Sequence, residues 1–455
     1  MDASKVASPN DAEADDLAVR EAAYETFVWD NLKRNYLGNY LHGMLGMTGF
    51  RLVNAPTFLP AYLHSISGSN AVVGLALALQ QVGGIISPIF GATKVEHRKK
   101  VMPAAVLMGS LGRLAILGMA LAGWFVSAKQ TIVDVPFTSW SFTFQPQIVA
   151  LLFFITMFGV FMGAQRVVFS MLMAKVIPIS RRGRLQAWRN ATGGAIAAVL
   201  AYLAGKYLIG PNAFGNGYST TFVVAFVLTS LGLWALQLLL KEPEPPTTRT
   251  QARFLDRLRE FPTLISQDRS FGFFVLVQML ATSARIATPF YILYVGAVVG
   301  TDGATLGALS FAFLGADTAS NLVWGYLGDK LGFRLVLIGS VIGWMAATLL
   351  LLNVHEPTAI FAAFAGLGAS LSGYMMAAQT MILEFGDRDD LPMRIAVSAT
   401  AESITATLGP LIGGVVAEAF GYKVVFGASV GFLVAALAIL LLFVSEPRRA
   451  RLGRG

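Results

Sequence analysis

The sequence contains no cysteine and only four histidines in 455 residues. The absence of cysteine excludes disulfide bonds, thiol nucleophiles and cysteine-ligated metal sites. The histidines are spread along the chain and form neither an HxxxH nor an HExxH pair, so a metal-dependent hydrolase has no support. We therefore expect no metal, no cofactor and no enzymatic activity.

Charged residues are also scarce. They make up 13% of the chain, against about 25% in a typical soluble protein. Hydrophobic residues make up 55%, and the mean hydropathy is +0.63. Because so few charges cannot coat the domains of a soluble chain of this length, we predict a polytopic membrane protein. In such a protein the net charge of +8 reflects cytoplasmic loops rather than nucleic-acid binding.

Twelve segments are long and apolar enough to cross a bilayer, since a spanning helix needs about 20 mostly apolar residues. Six lie in the first half of the chain, near 38–64, 71–94, 101–127, 147–176, 185–209 and 218–240. Six lie in the second half, near 271–298, 303–328, 334–353, 357–384, 394–419 and 422–444. We number these segments as spans 1 to 12.

Three polar segments lie outside the spans. Residues 1–35 are acid-rich and have no signal-peptide core, and the apolar residues of 27–36 favour an interfacial helix. A loosely ordered tail is the alternative. Residues 241–270 are predicted to be a cytoplasmic linker with an amphipathic helix that lies on the membrane surface or binds a partner. Residues 446–455 form a basic tail.

Lysine and arginine lie mainly on one side of the predicted membrane. If the N-terminus is inside, the inner loops contain "HRKK" (97–100), "SRRGR" (180–184), the linker, "GDKLGFR" (328–334) and "DRDDLPMR" (387–394). The outer connections contain Lys129, Lys206 and Lys423. By the positive-inside rule both termini are cytoplasmic, and the expected location is a bacterial inner membrane.

The two halves of the chain look related. Span 2 ends in "GATKVEHRKK" (91–100) and span 8 ends in "GYLGDKLGFR" (325–334), each a glycine followed by a charged turn. The second of these resembles the signature loop of the major facilitator superfamily, roughly GxLxDRxGRR. The residues that carry the resemblance are Gly325, Gly328, Asp329, Gly332 and Arg334.

The first-half copy of this loop is degenerate. It keeps Gly91 and basic residues such as Arg98, but Val95 stands at the aspartate position and Glu96 follows it. The resemblance implies that the loops brace one conformation of the transporter, with Glu96 as a substitute for the missing aspartate. The alternative is that they are short basic turns that obey the positive-inside rule.

The resemblance covers about 36–445 and implies an all-α membrane protein with twelve transmembrane helices. It implies two six-helix bundles, 36–240 and 271–445, around a cavity lined mainly by spans 1, 4, 7 and 10. It also implies alternating access by rocking of the bundles, and we expect a monomer.

Two arginines occupy equivalent places in the two halves. Arg51 lies about 14 residues into span 1, or roughly 20 Å along the helix, and Arg285 lies equally deep in span 7. Each is followed by a proline, Pro56 or Pro289, which is expected to interrupt the helix. Because a guanidinium matches carboxylate and phosphate, we predict that both arginines bind an organic anion. The alternative is a structural role.

Acidic residues are distributed unevenly. Between 36 and 241 the only two acids lie in or beside loops, so Arg51 has no acidic partner at mid-depth in its own half. It must use the second half, backbone carbonyls, water or a solute anion, whereas Arg285 and Asp317 could form an internal pair. Asp317 and Glu402 can change charge, which arginine cannot, and are the predicted proton carriers. Charge compensation is the alternative.

Other polar side chains on the predicted cavity spans complete the candidate solute site. Four flank the two arginines at three-residue spacing, and four lie on spans 4 and 10, where packing is the alternative role. These candidates are Thr48, Asn54, Thr282, Thr288, Gln165, Arg166, Tyr374 and Gln379.

We therefore predict a secondary transporter in the lipid bilayer that moves a small or medium-sized organic anion with protons. One alternative is an exporter of hydrophobic or amphiphilic compounds in which the arginines are structural. Span 5 has "GG" at 193–194 but lacks the Gly-Pro pair of the family's drug/proton antiporters, which argues against that alternative. A non-transporting membrane receptor or scaffold with the same fold is the other alternative.

Overall fold

The chain is almost entirely helical in the computed structural model, which describes residues 9–95, 99–134, 141–244, 268–300, 302–385 and 391–446. Glu96, Arg98, the predicted linker helix and most of the basic tail lie outside these residues.

All twelve predicted spans are helical, and the prediction of an all-α membrane protein is confirmed. Spans 1 to 6 are Leu32–Asn54 with Phe58–Ser67, Asn70–Val95, Met102–Phe125, Pro146–Val176, Ile179–Ile209 and Gly217–Leu239. Spans 7 to 12 are Arg269–Val298, Gly303–Leu331, Phe333–Asn353, Pro357–Glu384, Leu391–Phe420 and Tyr422–Phe443. Within the described residues, ten helices meet the length and composition of a membrane span, and spans 1 and 2 complete the twelve.

Two elements lie outside the spans. A helix, Pro9–Asp30, precedes span 1 and is held to span 4 by the Tyr24 hydroxyl, which donates to the Lys175 carbonyl at 2.8 Å. A two-stranded antiparallel hairpin, β1 (Thr131–Asp134) and β2 (Ser141–Phe144), lies in the connection between spans 3 and 4. The hairpin was not predicted from the sequence.

Spans 1 and 7 are interrupted at equivalent points. Span 1 stops at Asn54 and resumes at Phe58, with Pro56 in the gap. In span 7 a 3-10 turn, Arg285–Ala287, precedes the helix that starts after Pro289. Proline cannot continue the hydrogen-bond ladder of a helix, so the predicted breaks are confirmed.

The two halves meet through two symmetric helix pairs, span 2 with span 11 and span 5 with span 8. At one end of the molecule both pairs are in backbone contact through glycines. A Cβ atom on Gly74 would lie 2.2 Å from the carbonyl oxygen of Pro410, and one on Gly205 would lie 2.4 Å from that of Gly303. Any side chain at these positions would push the halves apart.

Polar contacts seal the same end. The Glu418 carboxylate accepts from the backbone N–H of Asn70 at 2.6 Å, and the hydroxyls of Thr57 and Ser310 lie 2.6 Å apart. The hydrogen bonds and ion pairs that join the halves within the described ranges all lie at this end or at mid-depth near Arg51. We call this the joined end, and the opposite end, where the basic loops lie, the basic end.

A bulky residue at the glycine contact is expected to open the joined end. In Gly74→Val the added carbons collide with span 11, so a cysteine placed at Asn54 should react several-fold more with an impermeant thiol reagent applied from the joined side. Since the chain has no cysteine, that reporter is unique. Gly427→Val is the control, because a Cβ at Gly427 meets open space. Equal labelling of the two variants would contradict this account of closure.

Candidate functional site

A cavity of about 550 Å³ lies between the halves at mid-depth. We call it the main chamber. Spans 1, 5, 7, 8 and 10 line it. Spans 1, 7 and 10 were expected from the family resemblance, whereas no residue of the expected span 4 lines this cavity and span 8 contributes the acid Asp317. Its polar lining is Arg51, Asn54, Asn190, Arg285, Thr288, Asp317, Asn321, Ser372 and Gln379.

Arg51 makes an ion pair across the two halves. Its Nη1 atom lies 2.7 Å from Oδ2 of Asp317 and donates a hydrogen bond to the Thr318 hydroxyl at 2.9 Å. About a fifth of each side chain of the ion pair is exposed, 19% and 20%. The second half thus supplies the partner that the first half lacks. The internal pair of Arg285 with Asp317, considered from the sequence, is not formed because Asp317 turns to Arg51.

Arg285 is held more loosely. Its Nη1 atom lies 4.0 Å from Oε1 of Glu402, too far for a direct hydrogen bond, and the two side chains are 34% and 27% exposed. Arg285 lines the main chamber from the 3-10 turn that interrupts span 7. Of the two arginines, Arg285 therefore has the greater capacity to bind an added anion.

A smaller chamber of about 320 Å³ adjoins the main chamber. The two share the lining residues Asn54, Pro56, Arg285 and Thr288. The Thr288 hydroxyl is buried and has no hydrogen-bond partner among the described residues, although such groups are normally paired. A ligand at the junction of the chambers could therefore reach Arg285 and Thr288 together.

Two adjacent glutamines of span 2 line the smaller chamber and were missed in the sequence analysis. Gln80 donates from Nε2 to Oδ1 of Asn54 at 2.7 Å and so orients that amide, and Gln81 is its neighbour. Asn190 and Asn321 of the main chamber were also missed. The available signal was a polar side chain within an otherwise apolar span, but spans 2, 5 and 8 were not expected to line the cavity.

Three predicted solute contacts are buried away from both chambers. The Thr48 hydroxyl donates to the carbonyls of Met44 and Gly193, between spans 1 and 5. Each three-residue step turns a helix by about 300°, so Thr48 lies about 120° around the helix from Asn54 and not on the same face. We therefore correct its assignment.

Tyr374 and Gln165 are corrected for a similar reason. Tyr374 is fully buried, and its hydroxyl donates to the Gln278 carbonyl and lies 3.2 Å from the Thr282 hydroxyl. Gln165 is buried and lines neither chamber. Arg166 is exposed and also lines neither chamber. Thr282 lines the smaller chamber.

Arg113, on span 3, is a buried arginine with a structural role. It is 2% exposed and donates to the carbonyls of Thr229 and Gly109 at 2.7 and 2.6 Å. Its guanidinium lies 5.6 Å from the centroid of the Phe50 ring. Helix carbonyls and an aromatic face thus hold this cation away from the chambers, and its Nη2 atom is buried without a hydrogen-bond partner among the described residues.

The predicted signature loop lies at the basic end. Gly325, Gly328 and Asp329 occupy the last turns of span 8, as Gly91 does in span 2, and Gly332 ends span 8 with a φ of +94°. The Arg334 guanidinium donates to the carbonyls of residues 440, 441 and 444 and so caps span 12. In this conformation Arg334 stabilises its own half.

The family description "Major Facilitator Superfamily" matches the chain twice, over residues 41–282 and 273–454. One curated relative is Multidrug resistance protein MdtG of Serratia proteamaculans (strain 568), 30% identical over 163 residues, which are 35% of this chain and 39% of the relative. The chain therefore matches about two fifths of the length of such relatives.

Solved structures of similar fold include a mutant of the nucleoside transporter NupG and the xylose transporter XylE from E. coli in an inward open conformation. The NupG match has a TM-score of 0.67 and 11% identity, and covers 90% of this chain and 100% of NupG. The XylE match has a TM-score of 0.62 and 15% identity, and covers 92% and 97%. At these identities the two matches show the shared fold alone.

The ion pair across the halves makes a prediction about stability. Arg51→Gln or Asp317→Asn leaves one partly buried charge without its partner, so each should lower thermal stability, whereas the double variant should recover part of the loss. We expect a coupling energy of about 1 to 3 kcal/mol in a double-mutant cycle. Arg51→Gln combined with Lys423→Gln is the control and should be additive. Additive losses in the Arg51 and Asp317 cycle would contradict the pairing.

Proposed function

Because the chain belongs to the Major Facilitator Superfamily, we propose that its two chambers bind an organic anion and carry it across the membrane together with protons. Proteins of this family are transporters rather than enzymes. The observation that carries the choice of an anion is Arg285, a loosely paired cation at the junction of two chambers.

The geometry supports alternating access. The halves are joined at one end through glycine contacts and carry no such ties between described residues at the basic end. If the basic loops are cytoplasmic, as the positive-inside rule indicates, this conformation is open to the cytoplasm. XylE, which has the same fold, is known in an inward open conformation. We accordingly assign the chain to a bacterial inner membrane with both termini inside.

We place the anionic group of the solute on Arg285. A carboxylate or phosphate there would receive charge-assisted hydrogen bonds from the guanidinium and a further bond from the unpartnered Thr288 hydroxyl. The remainder of the solute would extend past Asn54 towards Gln80 and Gln81 in the smaller chamber. A volume of about 320 Å³ suits a small or medium-sized molecule.

We propose that proton coupling acts through the charge of Arg51. The Asp317 carboxylate lies 2.7 Å from this guanidinium and neutralises its charge. When Asp317 is protonated, the positive charge of Arg51 adds to that of Arg285 in the main chamber and attracts the anion bound at Arg285. A proton on Asp317 therefore favours anion binding, and a bound anion favours protonation by the same factor. This linkage supports symport of anion and proton. Glu402 would balance the charge of Arg285 in the same way.

An exporter of amphiphilic compounds is the second candidate. The main chamber is lined by flexible and aromatic side chains, Met47, Phe50, Phe313, Met375 and Met376, which can adapt to varied apolar surfaces. The similarity to MdtG, named a multidrug resistance protein, supports this candidate, although it covers 35% of the chain. The absence of the Gly-Pro pair in span 5 argues against this candidate.

Replacement of Arg285 distinguishes the two functions. In proteoliposomes with an imposed pH gradient, Arg285→Gln should lower the uptake of labelled organic anions about tenfold or more, because a charge-assisted hydrogen bond is lost, and Arg285→Lys should be intermediate. Lys423→Gln, far from the chambers, should transport normally. If Arg285→Gln moves anions as well as the unmutated protein and exports amphiphiles unchanged, the second candidate is favoured.

Replacement of Asp317 tests coupling. In the unmutated protein the affinity for the anion should fall as the pH rises, because the ionised Asp317 carboxylate neutralises the charge of Arg51 and so weakens the attraction of the main chamber for an anion. Asp317→Asn mimics the protonated state, so its affinity should vary less with pH, and it should exchange anions without gradient-driven accumulation. Binding assays between pH 5 and 9 check this, and an affinity that rises with pH in the unmutated protein would contradict it.

A further inference from the structure

A separate groove of about 600 Å³ lies at the basic end, between the start of span 1 and the start of span 5. We call it the basic-end groove. Lys33, Arg181 and Arg184 line it together with two leucines, two tyrosines and Trp188. Its lining contains three cations and no acid.

The three cations have no described partner. Arg182, which lies between the two arginines in sequence, donates to the carbonyls of Ile177 and Ala174 and so caps span 4. Within the described residues, the side chains of Arg181, Arg184 and Lys33 make no hydrogen bond or ion pair, and all three are exposed. Arg181 also lies in the first turn of span 5, where the helix dipole disfavours a cation. An anion in the groove would supply the missing partner of these cations and would interact favourably with the N-terminus of span 5.

The rest of the lining is apolar or aromatic. Leu37 is 48% exposed and Trp188 is 52% exposed, with Tyr36 and Tyr40 beside them. A small hydrated anion would leave this surface unused, whereas an amphiphile would contact both parts. Tryptophan and tyrosine are typical of the level of lipid headgroups, and a lysine or arginine cluster beside them attracts anionic lipid.

We propose that the basic-end groove binds an anionic phospholipid. The phosphate lies among Lys33, Arg181 and Arg184, and the first part of an acyl chain runs along Leu37 and Trp188. The site is distinct from the two chambers, so the proposal does not depend on which solute the protein carries.

The position of the groove links the lipid to conformation. Lys33 and Arg51 are eighteen residues apart in one continuous helix, which is five full turns, so they project from the same side of span 1. Arg51 faces Asp317 in the second half, and the groove therefore opens towards the second half at the basic end, where no hydrogen bond or ion pair between described residues joins the halves. A bound lipid favours this conformation, because closure of the basic end would displace it.

Lipid titration of purified protein in detergent tests the site. Phosphatidylglycerol should raise the unfolding temperature, and phosphatidylcholine should not. In Arg181→Gln/Arg184→Gln the apparent affinity for phosphatidylglycerol should fall on the order of 30-fold, given the contribution of each basic residue to anionic-lipid binding. The control, Lys100→Gln/Arg269→Gln, removes two exposed charges from the basic end outside the groove and should bind normally. Equal affinities of the two double variants would overturn the proposal.

Two further measurements identify the ligand class. Inorganic phosphate alone should not stabilise the protein at concentrations where phosphatidylglycerol does, and equal stabilisation would show a small-anion site instead. Brominated phosphatidylglycerol should quench the fluorescence of the unmutated protein more than that of Trp188→Phe, because bromine on the acyl chain approaches Trp188. Equal quenching would show that the lipid lies elsewhere and would overturn the proposal.

Discussion

A bilayer cannot solvate an unpaired charge, and this constraint organises the centre of the molecule. The first half carries Arg51 at mid-depth without an acid at that depth, and in this conformation an acid of the second half, Asp317, pairs with it. A contact that stabilises one arginine therefore also joins the two halves at mid-depth. The same pair lines the main chamber, so the contact between the halves and the wall of the cavity share these two side chains.

The closure of the joined end depends on a second constraint, the size of side chains. Gly74 and Gly205 let helices from opposite halves approach to backbone contact, in two pairs related by the repeat. Contact of this kind needs no specific polar partner. The ion pair at mid-depth adds a polar contact between the halves to the close approach that glycine makes possible.

The number of membrane-spanning helices could be predicted from the lengths of the apolar segments. The breaks after Arg51 and Arg285 could be predicted from Pro56 and Pro289. The predicted starts of spans 1 and 5 were six residues too late, because both helices extend beyond the apolar region into basic residues such as Lys33 and Arg181. Of the candidate site, the two arginines lie in one cavity with Asn54, Thr288 and Gln379, whereas Thr48, Gln165 and Tyr374 are packed between helices.

The sequence by itself determined that the protein lies in a membrane, that it has two related halves and that Arg51 has no acidic partner at mid-depth in its own half. Those properties depend on composition, segment length and the positions of charges, all of which can be counted along the chain without knowledge of contacts. Only the tertiary structure decided that the partner is Asp317, that Arg285 remains loosely held by Glu402 and that span 2 contributes Gln80. Whether two side chains pair depends on the direction in which each points from its helix axis and on the distance between helices that are far apart in sequence. Neither quantity can be read from the spacing of residues within one helix.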